Sequence, residues 1–127
     1  MNTCIVGIGS NIEADVYIPK AIEMIGRDCK ILQISGMMKT KPIGYTQQDD
    51  FTNGAVKIAT NLNRRELNSY LKKIEDQLGR DRTQIKFGPR TIDLDLMIWN
   101  GQVVDKDYYT RDFLRQSAAE LGFTASE

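Results

Sequence analysis

The segment Phe87-Gly88-Pro89-Arg90-Thr91-Ile92-Asp93-Leu94-Asp95-Leu96-Met97-Ile98 aims two carboxylates and a guanidinium at one place. Leu94, Leu96 and Ile98 alternate with Asp93, Asp95 and Met97, which is the period of a β-strand whose successive side chains point to opposite faces. Asp93 and Asp95 therefore share a face. At about 3.3 Å per residue their Cα atoms lie roughly 6.6 Å apart, within reach of one hard cation or a pair of them. Gly88-Pro89 breaks the chain just ahead of the strand, and Arg90 sits at its entrance, where a planar fork can pair with phosphate oxygens that a metal also binds. The same alternation is also what the wet face of any half-exposed sheet shows, and Arg90 could make no more than a local salt bridge. A basic residue fixed at one end of two acids tips the reading towards metal and phosphate chemistry.

Other residues narrow the chemistry. The chain has no histidine, which removes the commonest general base, the commonest metal ligand and every Ser-His or Cys-His arrangement. Phosphoryl transfer survives this exclusion because it asks little proton chemistry of the protein. Lys72, Lys73, Arg80, Arg82, Lys86 and Arg90 surround the entrance to the acidic strand. The two lysines belong to a helix surface where such charges are ordinary, whereas the arginines fall in loops and suit a polyphosphate better. Gly7-Ile8-Gly9-Ser10-Asn11 lacks the third glycine of a dinucleotide fingerprint and the Gly-Lys-Ser/Thr of a P-loop, so a structural turn is the stronger reading than direct phosphate contact. Phe51 and Phe113 are ordinary core residues singly; if both flank an open sheet face, they could clamp a flat heterocycle.

These residues must be positioned by a single domain, residues 1–127, because the chain is short yet long enough to bury a sizeable core. Lysine plus arginine and aspartate plus glutamate both number 17, so bulk charge gives no reason to expect nucleic acid or a membrane surface as partner. Cys4 and Cys29 are too few for a disulfide framework or zinc site and read as buried free thiols of a reduced compartment. With no long apolar run, a soluble cytoplasmic protein is expected, a monomer with a dimer left open.

Along the chain, residues 3–8 read as an apolar strand leaving through Gly9-Ser10-Asn11. Ile18, Ala21, Ile22 and Ile25 follow at helical spacing; Pro19 is tolerable only in a first turn, which sets the helix start near Asp15 to Ile18 and its end near Gly26 to Asp28. A second strand starts at Ile31 and is expected to reach Lys39, with residues 40–44 as a Pro- and Gly-stopped loop and 45–50 as a mobile loop. Residues 51–59 form a third strand. Asn63 with Glu66 has the capping-box pattern, and Leu67, Leu71, Ile74 and Leu78 line one face of a helix stopped by Gly79. After the basic loop comes the acidic strand, and residues 112–121 look weakly helical. The order βαββαβ gives an α+β, ferredoxin-like fold with one antiparallel sheet, helices on one face and mobile loops on the other. Leu94, Leu96 and Ile98 would pack on the helices while the aspartates face the open side.

Gly9-Ser10-Asn11 after a first strand, Thr40-x-Pro42-Ile43-Gly44, Phe51-x-Asn53, Gly79-Arg80-x-Arg82 and the Gly-Pro-Arg-Thr-x-Asp-x-Asp core together resemble the 6-hydroxymethyl-7,8-dihydropterin pyrophosphokinases of folate biosynthesis, over about residues 3–114. The resemblance implies transfer of the β,γ-diphosphate of ATP to a pterin hydroxymethyl group with release of AMP. It assigns two Mg²⁺ ions to Asp93 and Asp95, phosphates to Arg82 and Arg90, and a catalytic loop role to Arg80. Lys72, Glu75 and Thr110 would border ATP, and Arg111 would partly substitute for the phosphate contacts that the chain lacks relative to the family. The reduced pterin would lie between Phe51 and Phe113, with Gly9, Thr40, Pro42, Ile43, Asn53 and Asp93 as further substrate contacts.

The chain departs from the family at Phe51, where a Tyr is usual, at Phe87, where a Trp or similar aromatic stands, and at Lys41, where a Pro stands. Beyond Thr110 the family carries a Pro-His segment on the ATP phosphates, whereas here Thr110 runs straight into Arg111-Asp112-Phe113-Leu114. Weakened ATP binding is the expected consequence, since hydrogen bonds to charged groups contribute about 1.5–3 kcal/mol each. Two other readings stay open: a paralogue that binds pterin or nucleotide without catalysis, and a Mg²⁺-dependent enzyme acting on another nucleotide.

Overall fold

The computed structural model describes residues 1–44, 46–79 and 91–124. Its elements are β1 (Asn2–Ser10), α1 (Ala14–Asp28), β2 (Lys30–Ile34), β3 (Met38–Thr40), β4 (Phe51–Thr60), α2 (Arg64–Gln77), β5 (Asp93–Trp99), β6 (Gln102–Val103), α3 (Asp107–Thr110) and α4 (Asp112–Glu120). The strands make one antiparallel sheet in the order β2-β4-β1-β5-β6, with β3 also pairing to β4. With β2 and β3 taken as one broken strand, this is the α+β, ferredoxin-like arrangement, extended by β6, α3 and α4.

Local chemistry accounts for the elements. The Asn63 side chain accepts the Glu66 N–H at 2.8 Å while the Glu66 carboxylate accepts the Asn63 N–H at 3.0 Å, a reciprocal cap worth about 1 kcal/mol. Helix α1 begins at Ala14, earlier than the proline rule suggests, so Pro19 lies in its second turn. Pro19 and Asp15 are both exposed, and the carbonyl left without a donor can be hydrated. The second strand does not run unbroken to Lys39. It breaks over residues 35–37, where the buried Ser35 hydroxyl accepts the Ala55 N–H at 2.8 Å and donates to the Gly36 carbonyl at 2.9 Å, tying the break to β4. Thr40, expected in a loop, ends β3 opposite Phe51.

The sheet is covered unequally on its two faces. On one, Val6, Ile8, Val56, Leu94 and Leu96 pack with Ile18, Ala21 and Ile25 of α1 and with Leu67, Leu71 and Ile74 of α2. Each such fully buried aliphatic contributes about 1.5–3 kcal/mol. On the other, Ile5, Ala55, Met97 and Ile98 pack with Tyr108, Ala118 and Leu121, so α3 and α4 cover one end of the face expected to be open. Ile98 therefore does not pack on α1 and α2. The β1–β5 register shifts between Ile5 and Val6, leaving Met97 as the extra residue and turning Ile98 to the second face. The rest of that face is the site.

Cys4 and Cys29 are buried free thiols. Burial first, and the neighbouring Cys29 second, push the Cys4 thiol up to about 11, so it is a poor nucleophile at neutral pH.

Candidate active site

Register builds the site. Gly9 stands opposite Asn53 on one side and Asp93 on the other; Gly7 stands opposite Ala55 and Asp95. Two rows thus cross three strands, each with a glycine at its centre. The result is a floor without side chains, flanked by acids on β5 and by Asn53 and Phe51 on β4. The Gly7-Ile8-Gly9 segment is neither a turn nor a phosphate loop, but strand backbone left bare beneath a cavity.

That cavity measures about 290 Å³. It brings together Gly9, Thr40, Ile43, Phe51 and Asn53 from one side, Lys72, Asp93 and Asp95 from another, and Arg111 and Phe113 from the C-terminal segment. Phe51 and Phe113, 62 positions apart in the chain, share it. Asn53 donates to the Thr40 hydroxyl, which fixes its carboxamide across the end of β3.

Several residues singled out in the sequence lie elsewhere. Glu75 has no exposure and sits beneath β5, where its Oε2 accepts the Leu94 N–H at 2.7 Å. Pro42 and Thr110 do not line the cavity. Arg80, Arg82 and Arg90, with Lys86 and Phe87, lie outside the described residues.

The sequence reading missed Asp105 and Asp107, which also line the cavity. A signal existed: Asn100-Gly101, both at positive φ, forms the tight hairpin that returns β6 beside β5 and delivers Asp105 to the aspartates. The Asp105 carboxylate accepts the Asp107 N–H at 3.0 Å, and Asp107 lies 3.7 Å from the Arg111 guanidinium.

Among the described residues lining the cavity, aspartates outnumber cationic side chains. Asp95 is about half exposed, with its side chain at 48%, but into a concave cavity. Desolvation there, then the Asp93 charge, push its carboxyl up to about 8; the Lys72 ammonium, 4.0 Å away, pulls it down, while a hydrogen bond with Asp93 and the Asp105 charge push it further up. Two adjacent carboxylates whose joint ionisation is disfavoured suit a divalent cation. The bare glycine floor leaves room for one, and hard oxygen donors match Mg²⁺, which completes its shell with waters and phosphate oxygens. Among the described residues, no group of three or more His, Cys, Asp or Glu side chains is poised as a complete metal site, so these residues would supply only part of a coordination shell.

A pH dependence follows. The folded protein keeps the Asp95 proton from its ordinary value of 3.8 up to about 8, while the unfolded chain loses it near 3.8. Over that window the folded state binds more protons, so this contribution to stability is full below the window and declines as pH rises through it. In metal-free buffer the unfolding temperature of the wild type is expected to fall, relative to Asp95→Asn, between pH 5 and pH 8. Parallel profiles for the two proteins would contradict this.

Among the described residues no helix is long and apolar enough to cross a membrane. Comparison with known proteins adds the family. Residues 5–122 match the family model described as 7,8-dihydro-6-hydroxymethylpterin-pyrophosphokinase. The chain is 34% identical over 131 residues to the 2-amino-4-hydroxy-6-hydroxymethyldihydropteridine pyrophosphokinase of Bacillus subtilis, covering 94% of this chain and 78% of that one. It is 36% identical over 105 residues to the protein of the same name from Aquifex aeolicus, covering 82% and 65%. Bifunctional protein FolKE of Lactococcus lactis subsp. lactis is 40% identical over 132 residues, covering 95% of this chain but only 38% of the relative, so the chain spans about two-fifths of that longer protein. With the acidic strand, the glycine floor and the flanking aromatics in one cavity, and a match over nearly its whole length, the chain belongs to the 7,8-dihydro-6-hydroxymethylpterin-pyrophosphokinase family.

Proposed function

We propose that this chain transfers the β,γ-diphosphate of ATP to the hydroxymethyl oxygen of 6-hydroxymethyl-7,8-dihydropterin. The observation that carries the reading is a single cavity lined by Phe51, Phe113 and the Asn53–Thr40 pair together with Asp93 and Asp95. A flat heterocycle fits the first set and a metal-bound polyphosphate the second. A second groove, lined by Arg64, Asn68, Lys72, Leu96 and Lys106, meets this cavity at Lys72, Asp95 and Asp105. Three cations and an open groove suit a nucleotide. Nucleotide and heterocycle would then face each other across Asp95.

In the reaction, a bond forms between the hydroxymethyl oxygen and the β-phosphorus. The bond from that phosphorus to the α,β-bridging oxygen breaks, AMP leaves with the bridging oxygen, and the hydroxyl proton passes to solvent. Asp93 and Asp95 would hold two Mg²⁺ ions, which when bound supply neutralisation of the charge that develops around the β-phosphorus. Phe51, Asn53 and Phe113 orient the acceptor, Lys72 and Arg111 meet phosphate oxygens, and Arg80, Arg82 and Arg90 would grip the rest. Helices α3 and α4 are separated by Arg111 alone, which supports the reading that no phosphate-covering loop stands between them and that ATP is held weakly. The test is AMP release from ATP and Mg²⁺ in the presence of the reduced pterin; folded protein giving no AMP above background would sink the proposal.

The glycine floor supplies a further expectation. A Cβ on Gly9 would lie 2.5 Å from Asn53 Oδ1, so Gly9→Ala must displace that side chain and break its bond to Thr40. Pterin affinity, followed by fluorescence titration, is expected to drop about tenfold, the worth of one well-placed hydrogen bond. Unchanged affinity would show that the carboxamide does not read the ring.

A further inference from the structure

Strand β5 carries both aspartates, yet among the described residues one of its edges has little strand pairing. β1 occupies one side, while β6 pairs only with Ile98 and Trp99. Among the described residues, no strand lies beside the outer edge from Asp93 to Leu96. A buried backbone N–H there needs an acceptor. The Leu94 N–H, between the two aspartates, finds it in Glu75 Oε2 at 2.7 Å, so a side chain from α2 stands in for the missing strand. The other oxygen, Oε1, lies 3.5 Å from the Lys72 ammonium one helical turn earlier, and that ammonium lies 4.0 Å from Asp95. A carboxylate with no solvent exposure persists only when both oxygens are engaged in this way.

We propose that Glu75 is a positioning residue: through one oxygen it fixes the strand that carries Asp93 and Asp95, and through the other it holds Lys72 between the two cavities. It lines neither cavity, so its influence on substrates is indirect, and Leu94 and Lys72 are two of the groups that carry it. This role rests on the part of the proposed function that places metal and polyphosphate at Asp95, not on the transfer step itself. It also separates Glu75 from the ATP contacts that the resemblance implied.

Three measurements test it. In the wild type, amide hydrogen exchange at Leu94 is expected to be as slow as in the paired core strands; exchange as fast as an unpaired edge amide would overturn the proposal without any variant. Calorimetry with Mg²⁺ and a non-hydrolysable ATP analogue comes second. Glu75→Gln retains an acceptor for the Leu94 N–H but releases Lys72, and it is expected to weaken metal–nucleotide binding about tenfold, the usual scale for a group that orients metal ligands. Third, pterin affinity should stay within about twofold in the same variant, a split that general destabilisation would not produce. Glu75→Leu, which loses both contacts, should bind the complex more weakly still. Wild-type affinity in Glu75→Gln, or equal losses for nucleotide and pterin, would overturn the role. If the wild type binds both ligands yet releases no AMP, the proposed reaction fails while the positioning role stands.

Discussion

Asp95→Asn is expected to lower AMP release by at least about a thousandfold, because a metal-held polyphosphate gains several kcal/mol of charge stabilisation that an amide cannot anchor. The substitution is nearly isosteric, on a residue facing the cavity rather than the core, so the fold should persist. At pH 8 the metal-free variant should be no less stable than the wild type. It removes a carboxyl whose ionisation is opposed first by burial and then by the neighbouring Asp93. A rate within tenfold of wild type, from protein that is folded and pure, would mean that the acidic pair does not hold the reacting polyphosphate. Asp93→Asn in parallel separates the two carboxylates, since Asp93 pairs across β1 with Gly9, on the Asn53 side of the floor, and Asp95 with Gly7.

Phe113→Ala is expected to weaken pterin binding by roughly ten- to a hundredfold and to raise the pterin KM in step, with nucleotide affinity little changed. Stacking a flat heterocycle on an aromatic ring is worth about 1–3 kcal/mol. Phe113 and Phe51 reach the same cavity from α4 and β4, both half-buried, so neither is needed to complete the apolar core. Phe113→Tyr should restore most of the affinity, because the ring face is retained. Equal affinity in the alanine variant would place the ring elsewhere; equal loss of nucleotide and pterin would point to a general collapse of the C-terminal segment onto the cavity.

How much of this was legible from the chain differs by residue. The acidic strand was readable because a period of two is a local property, and Asp93 and Asp95 do line one cavity. The capping box of Asn63 and Glu66 was readable for the same reason. Ile98 was misplaced because a bulge breaks that period, and a bulge is set by the partner strand, not by the residues it displaces. Gly9 was named as a substrate contact by resemblance alone and Gly7 not at all, because their importance lies in what stands across the sheet, Asn53 and the two aspartates, and register is a tertiary fact. Glu75 was read as a nucleotide contact on the strength of resemblance; that it faces inward to the Leu94 amide depends on how α2 is rotated over β5. Asp105 and Asp107 needed the Asn100-Gly101 turn to be followed to its consequence, a hairpin bringing the next acids back to the site. The second helical layer was half visible: residues 112–121 carried helical spacing, but nothing local says that Ala118 and Leu121 pack over Ile5 and Met97.

The central claim is that the cavity sets a pterin hydroxymethyl group against the β-phosphorus of ATP at Asp95. The most direct measurement is phosphorus NMR of a single turnover with equimolar ATP, excess Mg²⁺ and 6-hydroxymethyl-7,8-dihydropterin. AMP and pterin diphosphate should appear in equal amounts, with no ADP and no free phosphate, because one bond at the β-phosphorus is exchanged for another. Formation of ADP, or AMP accompanied by free pyrophosphate rather than a pterin ester, would contradict the account.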